Sequence, residues 1–327
     1  MWKYLRNIYR ILTGFKYFLY EYTRFLKYCS RNENLNDNET RNYSSIIVYH
    51  GLEKSLSYRR RNPKSGWSHA NRILDLLGIA KKNKGKGYHD IASKQVLERF
   101  INLPENVDDK RSGQIKKELK GYSDFNSHEE HGHINLSLND YKNGTLKNPE
   151  LFFNSRYSLR EFKDKIVNIK EIERAVKLAM KSPSVCNRQA WGIYHTSDQK
   201  IKEAVLSCQH GNKPFGISIP NIMIITADLK AFFSADERYQ HWIDGGLISM
   251  SLMYVFHSIG IATCALNWSA KPTDDLKLRK LVEINPSHSV IMMLAIGYPD
   301  TSNKVCASTR RPINEIFFDM KLKRPDK

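Results

Sequence analysis

Arg156, Ser158 and Arg160 stand at alternate positions in the run RYSLREF that opens at residue 156. Two guanidinium forks flanking a hydroxyl are the side-chain types that hold a phosphoryl group, because a planar fork donates parallel hydrogen bonds to an anionic oxygen pair. Arg310, next to Arg311 and Pro312, offers a further fork from the far end of the chain. Between these lies SPSVCNRQAW, residues 182–191. Pro183 forbids continuation of any preceding helix and bares backbone and short polar side chains, Ser184 and Asn187 among them, to a ligand. Asn187 both donates and accepts, whereas Gln189 and Trp191 belong to packing beneath such a site.

Other polar clusters carry less. His128, Glu129, Glu130, His131 and His133 include metal-ligand types, but they lack the helical His-Glu-x-x-His order that sets two imidazoles on one face. His50 beside Glu53 reads as a satisfied polar pair at a helix start, and Arg59 to Arg61 as a solvated run. Five cysteines, Cys29, Cys186, Cys208, Cys264 and Cys306, form no CxxC pair, which suits a reducing cytoplasm. The formal charge of +18 is spread along the chain, with 27 basic and 17 acidic residues (+10) in residues 1–150 and +8 in the rest. Diffuse charge with no zinc-finger spacing, RNP motif or arginine block argues against nucleic acid as a partner. No apolar run is long enough to span a bilayer, and the charged, tyrosine-rich start lacks a signal-peptide core.

A chain of 327 residues predicts more than one unit. In residues 1–28, Leu5, Ile8, Leu12, Phe15, Leu19, Tyr22 and Leu26 recur at spacings of three and four, which predicts a helix with one apolar stripe. Six cations accompany it against the single acid Glu21, so it reads either as a face packed on its own domain or a partner subunit, or as an interfacial helix on anionic lipid at the inner face of the membrane. Residues 30–43 read as a polar linker, and SSIIVYHG begins with a β-branched run. Residues 44–120 are expected to be mainly helical, with an interruption at Lys81 to Gly87. Residues 121–150 form a polar connector and the best domain boundary, leaving 151–327 as the second unit.

There the pattern alternates. Asn168 with Glu171 forms a capping-box arrangement ahead of a helix that Pro183 stops, and Trp191–Thr196 reads as a strand. Asp198 caps a helix through Cys208, and Asn221–Ala227 is a strand. Tyr239–Ser258 is a helix so apolar that it must be buried in a core or between subunits. Thr263–Trp268 and Ser289–Gly297 are strands around a helix capped by Thr273. The fold class is α+β.

Four of these segments together resemble the FMN-dependent nitroreductase family: Arg156-Tyr-Ser158-Leu-Arg160-Glu-Phe162, Ser182-Pro183-Ser184-Val-Cys-Asn187-Arg-Gln189-Ala-Trp191, Asp244-Gly-Gly246, and Ala295-Ile-Gly297-Tyr-Pro299 leading to Arg310-Arg311-Pro312. The resemblance covers roughly the C-terminal half. It implies a layered domain with a central mixed sheet flanked by helices, here a variant with a long, mainly helical N-terminal extension.

It further implies FMN at the interface of a homodimer, with Arg156, Ser158, Arg160 and Arg310 on the phosphate and Pro183, Ser184 and Asn187 lining the ring. Asn212 falls where the family places an amide at the pyrimidine edge, Lys213 supplies positive charge nearby, and the backbone at Ala265, Leu266 and Asn267 passes the ring. The chemistry implied is hydride transfer from NADH or NADPH to a small organic acceptor such as a nitro compound or quinone, with no protein acid or base required. Ala190 replaces a common Pro, Ile261-Ala262 replaces Leu-Gly, and Asn267-Trp268 follows the strand, which bears on acceptor choice. The segment Tyr49-His50-Gly51-Leu52-Glu53-Lys54 resembles that of members accompanying bacterial surface-polysaccharide synthesis. The alternative reading is a flavin-fold protein without redox turnover that acts as a scaffold at the membrane surface.

Overall fold

Apolar residues at three- and four-residue intervals make Trp2–Tyr28 one helix, α1. A computed structural model describes residues 2–30, 33–83, 85–126, 129 and 131–322. The Asp37 carboxylate accepts the Thr40 N–H at 2.9 Å and starts α2 (Asn38–Ser57). This corrects two expectations, since the linker ends earlier and the β-branched run is helical. Ile46, Tyr49, Leu52 and Leu56 are buried at helical spacing, and burial against neighbouring helices outweighs the strand preference of Ile46, Ile47 and Val48. Those neighbours are α3 (Trp67–Lys82), α4 (Tyr88–Ile101) and α5 (Lys110–Leu119), separated where expected by the Lys/Gly interruption. Together they enclose one core that includes Ile73, Leu77, Leu97 and Phe100.

The short helices α6 (Leu138–Asn143) and α7 (Pro149–Ser155) follow. Asn168 caps α8 (Ile169–Ala179) through the Lys170 N–H, while Glu171 accepts the Tyr298 hydroxyl instead of completing a capping box. Then come β1 (Trp191–Thr196), α9 (Gln199–Leu206), β2 (Asn221–Asp228), α10 (Gln240–Ser258), β3 (Ala262–Asn267), α11 (Pro272–Leu281) and β4 (His288–Gly297).

The sheet order is β1-β2-β4-β3 with all three pairs antiparallel. The mixed sheet expected from the resemblance is therefore corrected, its parallel component being a single bridge from Ser158 to Thr263. Alternation along β2 supplies both faces: Met223 and Ile225 meet α8 and α10, and Ile222 and Ile224 meet α9 and α11. This three-layer α+β architecture is joined to the helical region by polar contacts. Tyr43 donates to Asp228 at 3.1 Å, and Lys230 Nζ reaches Asp37 and Glu39 at 3.2 and 2.7 Å.

Within one chain α10 buries one face and leaves another open. Gly245, Ile248, Leu252 and Phe256 face the sheet and His241 packs on Phe25 and Phe232, while Tyr239, Ile243 and Leu247 form an exposed stripe. Residues 300–322 run along the outside, wholly exposed.

Candidate functional site

α7 ends at Arg156, where the chain becomes extended and runs beside β3. Leu159 is buried and its N–H donates to the Thr263 carbonyl at 3.0 Å, which fixes Ser158 and Arg160 at the outer edge of that strand. Arg156 lines a recess of about 380 Å³ with His257, Gly260, Thr263, Asn303 and Val305, and none of its lining residues is acidic. Arg160 donates to Cys306 Sγ at 3.5 Å. The recess at this edge of the sheet thus gathers a cation and hydroxyls with no carboxylate in its lining, as an anionic phosphoryl group requires.

The second motif is built differently. After Pro183 the chain makes a tight turn in which Cys186, Asn187 and Gln189 all adopt left-handed conformations, at φ 50°, 56° and 51°. None of the three is glycine, so each costs roughly 1 kcal/mol that surrounding bonds must offset. The Ser184 hydroxyl accepts the Gln189 N–H at 3.0 Å, and the Asp244 carboxylate accepts the Val185 N–H at 3.1 Å. Asp244 also accepts Gln240 Nε2 at 2.9 Å. Burial raises the carboxyl pKa of Asp244, and these hydrogen bonds oppose the rise. Arg188 is buried, with Nη2 at 2.6 Å from Glu237 and Nη1 on the Ala231 carbonyl. Burial works against the Glu237 charge, yet the bonds from Arg188 and the Phe233 N–H prevail and hold its carboxyl below the usual range.

Asn212 is buried, and its Nδ2 donates to the carbonyls of Leu206 and Gln209. The expected ring-edge amide therefore spends its donors closing the end of α9, and Lys213 stands exposed beside it. The residue that sequence reasoning missed here is Gln209. Its Nε2 donates to Asn267 O at 3.1 Å and to Asn267 Oδ1 at 3.3 Å, tying the Asn212 loop to the end of β3. On β3 itself Ala265 and Asn267 are exposed while the Leu266 side chain is buried. No sequence motif marks Gln209, because its role depends on a contact 58 residues away.

The predicted residues thus fall into separate groups. Arg156, Ser158, Arg160, Ala265, Leu266, Asn267, Asn212 and Lys213 are associated with the β3 edge. Pro183, Ser184 and Asn187 precede β1, the opposite edge of the same sheet. Arg310 lies in the exposed C-terminal stretch and donates to its own neighbour's carbonyl at Ser308. Its expected convergence with Arg156 and Ser158 is not made by the contacts within one chain. Of the His/Glu cluster, His128 and Glu130 lie outside the described residues, and Glu129 accepts the Tyr88 hydroxyl at 2.9 Å. Among the described residues no group of three or more His, Cys, Asp or Glu is placed to hold a metal.

Residues 154–214 match the model of the Nitroreductase family. Over 149 residues the chain is 24% identical to a putative NADH dehydrogenase/NAD(P)H nitroreductase of Archaeoglobus fulgidus, covering 44% of this chain and 82% of that protein. Over 186 residues it is 26% identical to an FMN reductase (NADPH) of Bacillus subtilis, covering 52% and 72%. A putative nitroreductase of Desulfovibrio desulfuricans, solved in complex with FMN, superposes with a TM-score of 0.46 at 16% identity, over 54% of this chain and all of the other. The matched segment contains the first phosphate-type cluster, the strained turn and the Gln209–Asn212 loop, and over it the chain is similar to the nitroreductase family, with a long helical region preceding the match.

Proposed function

We propose that two copies of this chain bind FMN between them and pass hydride from NADH or NADPH to a small organic acceptor of the nitro or quinone class. The observation that carries this reading is the division of the motif set between opposite edges of one sheet. A two-fold partner supplies the missing half: its Pro183–Asn187 turn meets the first chain's β3 edge, so each site needs residues of both copies. The exposed stripe of Tyr239, Ile243 and Leu247 on α10 is the apolar surface such an assembly covers.

The residues fit the cofactor. Arg156, Ser158, Arg160 and Arg310 hold the phosphate, and the recess at Arg156 has no carboxylate to repel it. Asn187 offers a donor and an acceptor to the polar edge of the ring, on a turn whose shape Asp244 and Ser184 fix. Lys213 provides positive charge near the β3 edge. Bound FMN supplies the hydride relay between donor and acceptor, and the protein's part is to orient, polarise and exclude water. All five cysteines are free thiols, which suits the cytoplasm.

The test is the absorption spectrum of the purified protein. A flavin spectrum that bleaches anaerobically with NADH or NADPH, and is lost in Arg156→Ala, supports the assignment. A colourless protein whose addition leaves the fluorescence of free FMN unchanged overturns it. A screen of nitroaromatic and quinone compounds then identifies the acceptor.

A further inference from the structure

α1 docks on the rest of the chain with the less apolar of its two faces. Thr13, Tyr17, Tyr20, Arg24 and Tyr28, spaced three and four apart, are half-buried, and the helix is anchored near its C-terminal end. Tyr20 donates to Asp275 at 2.7 Å, Arg24 to the Pro286 and His288 carbonyls at 3.0 Å, and Phe25 is buried. Leu5, Ile8, Leu12, Phe15 and Leu19 lie on another face that the chain leaves bare, with Leu12 63%, Phe15 64% and Leu19 45% exposed. Trp2, Tyr4, Tyr9 and Ile11 are exposed as well. An amphipathic helix ordinarily turns its apolar stripe to its own core, and this one turns it outward.

Charge selects the occupant. The first twenty residues carry Lys3, Arg6, Arg10 and Lys16 and no acid, within a chain of net charge +18. Pairing this helix with its copy would double those cations with nothing to offset them, whereas an anionic lipid surface neutralises them. An apolar stripe with Arg6 and Arg10 on the opposite side and Lys16 at its border matches a helix lying in the plane of a membrane interface. Its length does not imply crossing, since among the described residues no helix is long and apolar enough to span a membrane.

We propose that residues 2–19 of α1 form an interfacial anchor that seats the protein on an anionic phospholipid surface through the stripe Leu5, Ile8, Leu12, Phe15 and Leu19. This holds whether or not the sheet half binds flavin. Anchoring at one end and exposure at the other leave the stripe free to enter the headgroup boundary while the body stays outside.

The test is flotation of the full-length protein with vesicles of phosphatidylcholine alone and of phosphatidylcholine mixed with phosphatidylglycerol. The protein is expected to float with the anionic vesicles only, and less so in high salt. The double substitution Leu12→Glu, Phe15→Glu should lower the floated fraction by about tenfold or more, and these exposed positions should leave the circular dichroism spectrum unchanged. Wild-type protein that stays at the bottom of the gradient, or a double variant that floats as well as wild type, overturns the proposal. So does a wild type that ignores lipid but sediments as a larger species than the variant, which would identify a second copy as the occupant.

Discussion

The helical region between residues 38 and 125 and the sheet half after residue 154 use apolar side chains to different ends. In the first, Ile46, Leu52, Ile73, Leu77, Leu97 and Phe100 converge on a single enclosed core. In the second, two cores cover both faces of the sheet, yet Ile243 and Leu247 on α10 and Ile313, Phe317 and Phe318 in the tail remain exposed. The α2–α5 core is enclosed within one chain. The half that carries the cofactor motifs is not, and its surplus apolar surface is of the kind that assembly buries.

The sharpest probe of this contrast is Phe100→Ala. Phe100 is fully buried, edge-on to Trp67 at 5.0 Å and beneath the Arg61 guanidinium at 4.9 Å. Truncation should cost about 3 to 5 kcal/mol in urea unfolding of the helical region, independent of protein concentration. A concentration-dependent loss would show that the extension, too, relies on a partner.

Each half also holds an imidazole largely withdrawn from solvent, His89 half-buried and His241 buried. His89 in the helical region and His241 in α10 are both pushed down to about 4 from the usual 6.5 by burial, His89 with a smaller push from His131. The unfolded chain takes up these protons first, so the stability is whole above pH 6.5 and is lost as pH falls from 6.5 toward 4. Roughly 2 to 3 kcal/mol per imidazole is at stake. His89→Gln should flatten the acid limb for the helical region and His241→Gln for the sheet half. Acid limbs unchanged by both variants would remove the histidines from the account.

Leu247→Glu places a charge on the exposed stripe. It should leave the unfolding curve of the isolated chain nearly unchanged, halve the mass in analytical ultracentrifugation and weaken FMN binding by about tenfold or more. Undiminished mass would move the interface elsewhere. Asn212→Ala is the mildest of the four: losing the bonds that close α9 should cost about 1 kcal/mol with little change in FMN affinity. A large drop in affinity with stability intact would return Asn212 to the ring edge.

Much of the architecture could be read from residue order because local chemistry and final packing agree. Asn168 and Asp198 cap helices where expected, the four strands lie close to the runs assigned, and α8 ends at Ala179, ahead of Pro183. α2 was obscured because Ile46, Ile47 and Val48 favour strands individually, and only Tyr49, Leu52 and Leu56 reveal the helical spacing. The turn at Cys186–Gln189 gave no sign of its left-handed backbone, since it contains no glycine and its shape depends on Asp244, 59 residues from Val185. The loop-closing bonds of Asn212 were hidden for a related reason: an amide reads alike whether it faces a ligand or closes its own loop. Arg310 could not be located by any local rule, as nothing within its own chain draws it toward Arg156.

β3 is an outermost strand, and its exposed rim is shielded by Ser158 and Leu159 near Thr263. An unguarded rim of this kind invites other strands to add on and can seed fibrous aggregates. The stretch assigned to anion recognition is therefore also the molecule's guard against runaway strand addition. Loss of activity after substitution at Ser158 must consequently be weighed against loss of soluble protein, whereas Arg156, whose side chain lines the recess, gives the cleaner reading.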